Sequence, residues 1–293
     1  MTDAKRAPKK PRDRTYPPAP DPLPHPVADN HTHIEPGQAP REAGPELTLD
    51  DQAVRAAAVG VARIVQCGCD LESARWTATQ ATVNPAVVGA IAIHPNEAPR
   101  LAARGAYEAG LAAIVQMAGS NPRVRAIGET GLDYFRTRDP EAQALQRAAF
   151  RDHIAVAKEL GLAMQIHDRD AHADVIRLLE RDGAPDRTVF HCFSGDRTMA
   201  ELAAGRGWFV SVAGPVTFAG NESLRDAVRA VPMELLLVET DAPYLTSHPY
   251  RGRPNAPYLL PHAVRQVAVI KDLPLEAVCQ QIDASTTRVY GAW

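Results

Sequence analysis

The sequence predicts an α/β fold of the (β/α)8 barrel type, and two observations predict it. Short runs rich in Val and Ile alternate with longer Ala/Leu/Arg segments of helical period, the pattern of repeated βα units around a parallel sheet. Eight such runs fit within roughly 265 residues, the size of one such barrel. An open doubly wound sheet is written with the same local pattern, so the count alone does not close the barrel.

The runs fall at 27–33, 61–67, 87–94, 124–129, 163–167, 188–191, 208–213 and 235–241, and each is short and apolar enough for a buried strand. Amphipathic stretches separate them at 47–59, 72–84, 107–119, 140–160, 171–182, 198–206 and 222–231. In the longest, Leu145, Ala149, Ile154, Ala157 and Leu160 sit near i, i+4 spacing and give one face to bury. Two more helices are expected after the last strand, at 261–271 and 274–290. Each opens on a proline, whose missing N–H costs nothing there.

Ahead of the first run, residues 1–28 hold eight of the 25 prolines and six Lys/Arg against three Asp, with hardly a large apolar side chain. Such a segment cannot offset its own ordering entropy. The expected organisation is a flexible basic arm over 1–26 and a single barrel domain over 27–293.

Composition bounds the function. Of 293 residues, 45% are hydrophobic, enough for a large core and against a disordered chain. Lys plus Arg number 32 against 35 Asp plus Glu, so the net charge of −3 provides no global field for scanning nucleic acid, and any phosphate contact must be local. No apolar stretch approaches the ~20 residues of a membrane span, and the first residues lack the apolar centre of a secretion signal, so a cytoplasmic protein without a membrane partner is expected. The four cysteines, Cys67, Cys69, Cys192 and Cys279, are few and scattered and read as reduced thiols. Nothing resembles a dimerisation element, and a monomer is expected.

The informative residues end the apolar runs: His31 and His33 the first, His94 the third, Glu129 the fourth, His167 the fifth, His191 the sixth and Asp241 the eighth. In a barrel these ends converge on one face. His31 and His33 are two apart and share one side of an extended strand, so the pair can chelate one ion. Burying so many titratable groups without a partner is very unfavourable. Imidazoles with carboxylates suit Zn, Mn, Fe, Co or Ni, Mg being less usual with four imidazoles. Six donors exceed what a single open zinc site requires, so two divalent ions are expected, sharing Glu129 and activating a water. Asp241 is then both ligand and proton acceptor, Glu129 the second catalytic residue. Arg169 offers a bidentate phosphate contact or a salt bridge at the rim, and His94 a substrate contact or a brace for a ligand. Tyr134, Phe135 and Tyr244 can stack on a base or pack into the core.

Residues 29–33, 128–134, 166–171, 191–195 and 239–245 (DNHTH, GETGLDY, IHDRDA, HCFSG and ETDAPYL) resemble, in order, the motifs of the TatD family of metal-dependent deoxyribonucleases. The likeness runs from about Val27 to the carboxyl terminus. It implies a barrel hydrolase with a binuclear centre, in which His31, His33, Glu129 and Asp241 hold one ion and Glu129, His167 and His191 the other. It also implies phosphodiester cleavage of DNA, commonly as trimming of single strands from the 3′ end. The stretch 251–257, with Asn255, is similar to the family's segment after strand eight. Two features depart from it: the long segment before Val27, and Ser285, where the family often carries Asn. A related barrel hydrolase acting on a lactone, amide or phosphotriester shares the ligands, but such enzymes often bridge their ions with a modified lysine on strand four, where this chain has Glu129. A non-catalytic metal-stabilised scaffold that binds nucleic acid through its arm is disfavoured by the shortage of positive charge.

Overall fold

The computed structural model describes residues 13–37 and 47–293. Eight strands, β1 (Val27–Thr32), β2 (Val61–Gly68), β3 (Val87–Ile91), β4 (Val124–Asp133), β5 (Ala163–Arg169), β6 (Thr188–Phe190), β7 (Phe209–Val212) and β8 (Leu236–Val238), form one parallel sheet in sequence order. The circle closes just beyond β8. Asp241 N donates to His31 O at 3.0 Å and His33 N to Ala242 O at 2.6 Å. Side chains reinforce the seam: Asn30 Nδ2 donates to Val238 O (2.8 Å), and the Asp29 carboxylate accepts from Thr240 N (2.8 Å) and Thr240 Oγ1 (2.5 Å). The ambiguity between open sheet and barrel is thus resolved by pairing between residues more than two hundred positions apart.

Helices α1 (Leu49–Ala57), α2 (Leu71–Val83), α3 (Ala98–Ala102), α4 (Tyr107–Ser120), α5 (Pro140–Leu160), α6 (His172–Asp182), α7 (Arg197–Gly205), α8 (Glu222–Ala230), α9 (Leu260–Lys271) and α10 (Leu275–Tyr290) surround the sheet. Their starts follow local chemistry. Thr48 and Asp51 form a capping box on α1, as do Asp70 and Ser73 on α2, and Asp139 accepts from Ala142 N ahead of Pro140 on α5. Gly161 ends α5 at φ +61°, where a side chain would be strained. On α5 the buried side includes Ala149, Ile154 and Ala157, as the periodicity requires, but Leu145 is exposed. The short α3 has no counterpart among the expected elements; five residues are too few for a helical period to show. Ser285 Oγ donates to Glu234 O at 3.1 Å, tying α10 to the turn before β8.

The expectation of a flexible arm needs correction over residues 13–26. Leu23 is buried and its N–H reaches Val59 O at 3.0 Å. Arg253 Nε donates to Thr15 O (3.0 Å) and Nη2 to Tyr16 O (2.9 Å), Tyr258 Oη to Pro17 O (2.5 Å), and Arg265 Nη2 to Asp21 O (2.7 Å). Proline-rich chain cannot pair its own backbone, and here distant side chains take up its carbonyls instead. Residues 1–12 of that expectation lie outside the described residues. Among the described residues no helix is long and apolar enough to cross a membrane.

Candidate metal centre

β4 brings Glu129 to the middle of the carboxyl-end face, and its two oxygens look in different directions. Oε2 lies 3.6 Å from His31 Nε2 and 3.4 Å from His33 Nε2. Oε1 meets His167 Nδ1, lies 2.8 Å from His191 Nε2 and 3.5 Å from His94 Nε2. Asp241 Oδ1 closes the first side, 3.5 Å from His33 Nε2 and 3.9 Å from His31 Nε2. Three overlapping donor groups result, each with ligand atoms within 4.8 Å of one another: His31, His33 and Glu129; His31, His191 and Asp241; and His94, Glu129 and His167. All six residues expected as ligands therefore meet at one end of the barrel, although β3, β6 and β8 end one to three residues short of the donors they present.

Supporting partners set the imidazole orientations. His31 Nδ1 donates to Gln165 Oε1 at 3.0 Å, and Gln165 is itself held by donating to Asn30 O (2.7 Å) and to the Tyr290 hydroxyl (2.6 Å). His191 Nδ1 donates to Glu239 Oε1 at 3.2 Å, and Glu239 also accepts from Cys192 N and Ser211 Oγ, both at 2.6 Å. Each of these contacts leaves the Nε2 lone pair aimed inward, the tautomer a cation requires. Four imidazoles and two carboxylates with their donor atoms converging fit divalent metal ions. His31 Nε2 and His33 Nε2 stand 3.0 Å apart, close enough for one ion to be held by both.

Burial governs the electrostatics. It raises Asp241 to about 6 and lowers His31 to about 4. On Glu129 burial also pushes upward, but the surrounding His191, His167 and His94 outweigh it and hold the carboxyl well below its ordinary value. Asp241 further stands at φ +54°, a left-handed backbone that Asp and Asn tolerate better than most residues.

Among the residues expected to meet substrate, His94 stands closer to the centre than a substrate contact need be, inside the third donor group. Arg169 ends β5, and its guanidinium lies 4.0 Å from the centre of the Phe135 ring with no ion pair or hydrogen bond among the described residues. The rim salt bridge therefore does not form. Phe135 is 46% exposed, which removes its core-packing alternative. Gln165 escaped the sequence reading because a glutamine inside an apolar run carries no ligand signature. Glu239, two residues before Asp241, is placed by the sequence as a support for a ligand histidine, and it accepts from His191 Nδ1 at 3.2 Å.

A family profile described as TatD related DNase matches residues 28–291. The chain belongs to the TatD family. It is 42% identical over 268 residues to a metal-dependent hydrolase named TatD of Mycobacterium tuberculosis, covering 90% of this chain and 98% of the relative. It is 32% identical over 263 residues to the metal-dependent hydrolase YabD of Bacillus subtilis, at 89% and 98% coverage. The solved structure of the TatD homologue YJJV of Escherichia coli K12 superposes with a TM-score of 0.79 at 24% identity, covering 91% of this chain and 98% of that one, and so shares the fold. This chain is thus a TatD family metal-dependent hydrolase, and its segment before residue 28 lies outside the family match.

Proposed function

We propose that this TatD family hydrolase is a divalent-metal-dependent phosphodiesterase that cleaves DNA, trimming single strands from the 3′ end. The observation that carries the reading is the divided carboxylate of Glu129, with one oxygen toward His31 and His33 and the other toward His94, His167 and His191. A carboxylate so placed suits bridging two cations. His31, His33, Glu129 and Asp241 would hold one, and Glu129, His167 and His191 the other. Bound there, the pair would neutralise charge developing on the phosphoryl oxygens and acidify an attacking water.

The remaining work falls to side chains. Asp241 Oδ1 takes the proton of the attacking water. Gln165 and Glu239 keep the His31 and His191 rings from turning away. Arg169, whose charge has no partner among the described residues, grips a phosphate, and His94 lies beside the scissile group.

The test incubates metal-replete protein with an end-labelled single-stranded oligonucleotide, with and without chelator, beside Asp241→Asn. Asn accepts the same left-handed backbone, so the variant keeps the fold while losing the proton acceptor. Turnover is expected to drop at least ~100-fold. Cleavage that resists chelation, or none with any of several divalent metals, sinks the reading.

A further inference from the structure

We propose that Phe135 and Arg169 together form a nucleotide subsite beside the metal centre, the guanidinium gripping a phosphate next to the scissile one and the open part of the phenyl ring taking a base. The inference rests on the phosphodiesterase reading and names what that site holds besides the reacting phosphate. Four observations meet here.

First, the aromatic ring is displayed. Phe135 is among the few large apolar side chains left exposed, on the turn directly after β4, the strand that carries Glu129. Second, the turn behind it is fastened from several sides. Tyr134 N donates to Arg169 O (2.9 Å), Asp133 N to Gln146 Oε1 (2.9 Å), and Asn96 Nδ2 and Arg136 N to the Asp133 carboxylate (2.9 and 2.8 Å). The neighbouring Tyr134 is anchored by its hydroxyl, which donates to Asp174 Oδ2 at 2.6 Å and accepts from Arg147 Nη1 at 2.9 Å. The ring is thus held out on a braced turn.

Third, the guanidinium is two residues beyond His167, and its central carbon lies over the ring at 4.0 Å from the ring centre. The ring contact holds the fork in place without using its N–H donors, the state suited to bidentate capture of a phosphate. Fourth, the charge balance demands a local grip. The chain as a whole is net acidic, so a polyanion gains nothing from the overall field and must be held by cations placed at the mouth. A base over the ring and a phosphate on the fork are the two parts of one nucleotide. Single-stranded nucleic acid supplies both with its bases free to stack, whereas a small diester supplies neither neighbour.

The experiment uses the full chain. Phe135→Ala, Phe135→Trp and Arg169→Lys are compared with wild type in turnover of a short oligothymidylate and of bis(p-nitrophenyl) phosphate, and in equilibrium binding of the fluorescein-labelled oligothymidylate with chelator present. For Phe135→Ala, KM on the oligonucleotide is expected to rise and the ratio of kcat/KM between oligonucleotide and small diester to fall about tenfold, with binding weakened alike. Phe135→Trp restores both, and Arg169→Lys, which keeps the charge but loses the planar fork, lowers the ratio in the same direction. Equal losses on both substrates, or unchanged oligonucleotide binding in Phe135→Ala, overturn the subsite. If wild type cleaves no oligonucleotide, the phosphodiesterase reading on DNA fails, and the binding measurements then decide the subsite by themselves.

Discussion

A buried imidazole is as informative as its second nitrogen. Glu239 accepts from His191 Nδ1 and thereby dictates which lone pair faces Glu129. Glu239→Gln keeps the shape but replaces an acceptor with a donor, so metal affinity measured by chelator competition is expected to fall ~10- to 100-fold. His153 on α5 shows the opposite use of the residue. Its Nδ1 donates to Ala149 O (2.7 Å) while its Nε2 accepts from Ile93 N (3.2 Å), and burial lowers its pKa to about 4. The unfolded chain takes up this proton near its ordinary value of ~6.5, while the folded chain refuses it until about 4. Its stabilisation is therefore fully present above ~6.5 and drains as pH falls toward 4, by up to ~3 kcal/mol. Urea unfolding across that window should show a shallower acid slope for His153→Gln than for wild type; equal slopes would disprove the assignment. At this scale the sequence disclosed the donors, because acids and histidines at the ends of apolar runs stand out. Of the groups that orient them it disclosed Glu239 but not Gln165, which is 134 positions from His31 and becomes its neighbour only in the closed barrel.

Among the elements, strands and long helices are legible from period alone, while the order of the segment over residues 13–26 is not legible from composition. Prolines removed its capacity for regular structure, but not its carbonyl acceptors. Arg253 uses those acceptors to fasten residues 13–16 against the loop after β8; Asp13 Oδ2 lies 3.1 Å from its Nη1. The same loop carries Asn255, whose Nδ2 donates to Thr240 O (2.9 Å) and Tyr244 O (2.5 Å), the carbonyls on either side of Asp241. Arg253→Ala is expected to cost ~1.5–3 kcal/mol, as loss of hydrogen bonds from a charged donor does. Amide exchange should accelerate over residues 244–250 while that of β4 and β5 stays at the wild-type rate. Uniform acceleration across the barrel would mean that the contact serves overall stability and not this loop.

For the whole molecule, eight parallel strands could be counted in advance, but closure could not, because it depends on pairing between the first strand and residues past the last. The pairing runs through His31, His33 and Asp241 themselves. A cation held by these side chains also clips the two ends of the sheet together. Binding to the folded state alone then adds stability, ~2.7 kcal/mol at a free concentration one hundred times the dissociation constant. Chelation is expected to lower Tm by several degrees and to speed amide exchange first at residues 31–33 and 240–242. A Tm indifferent to chelator would contradict that coupling.

The seam also has a temporal consequence. Since the donors flanking it are more than two hundred positions apart, a polypeptide interrupted before Asp241 lacks both the carboxylate that completes the His31 and His33 side and the seam that positions it. The His31 and His33 side of the centre is therefore assembled only once the last strand has been made.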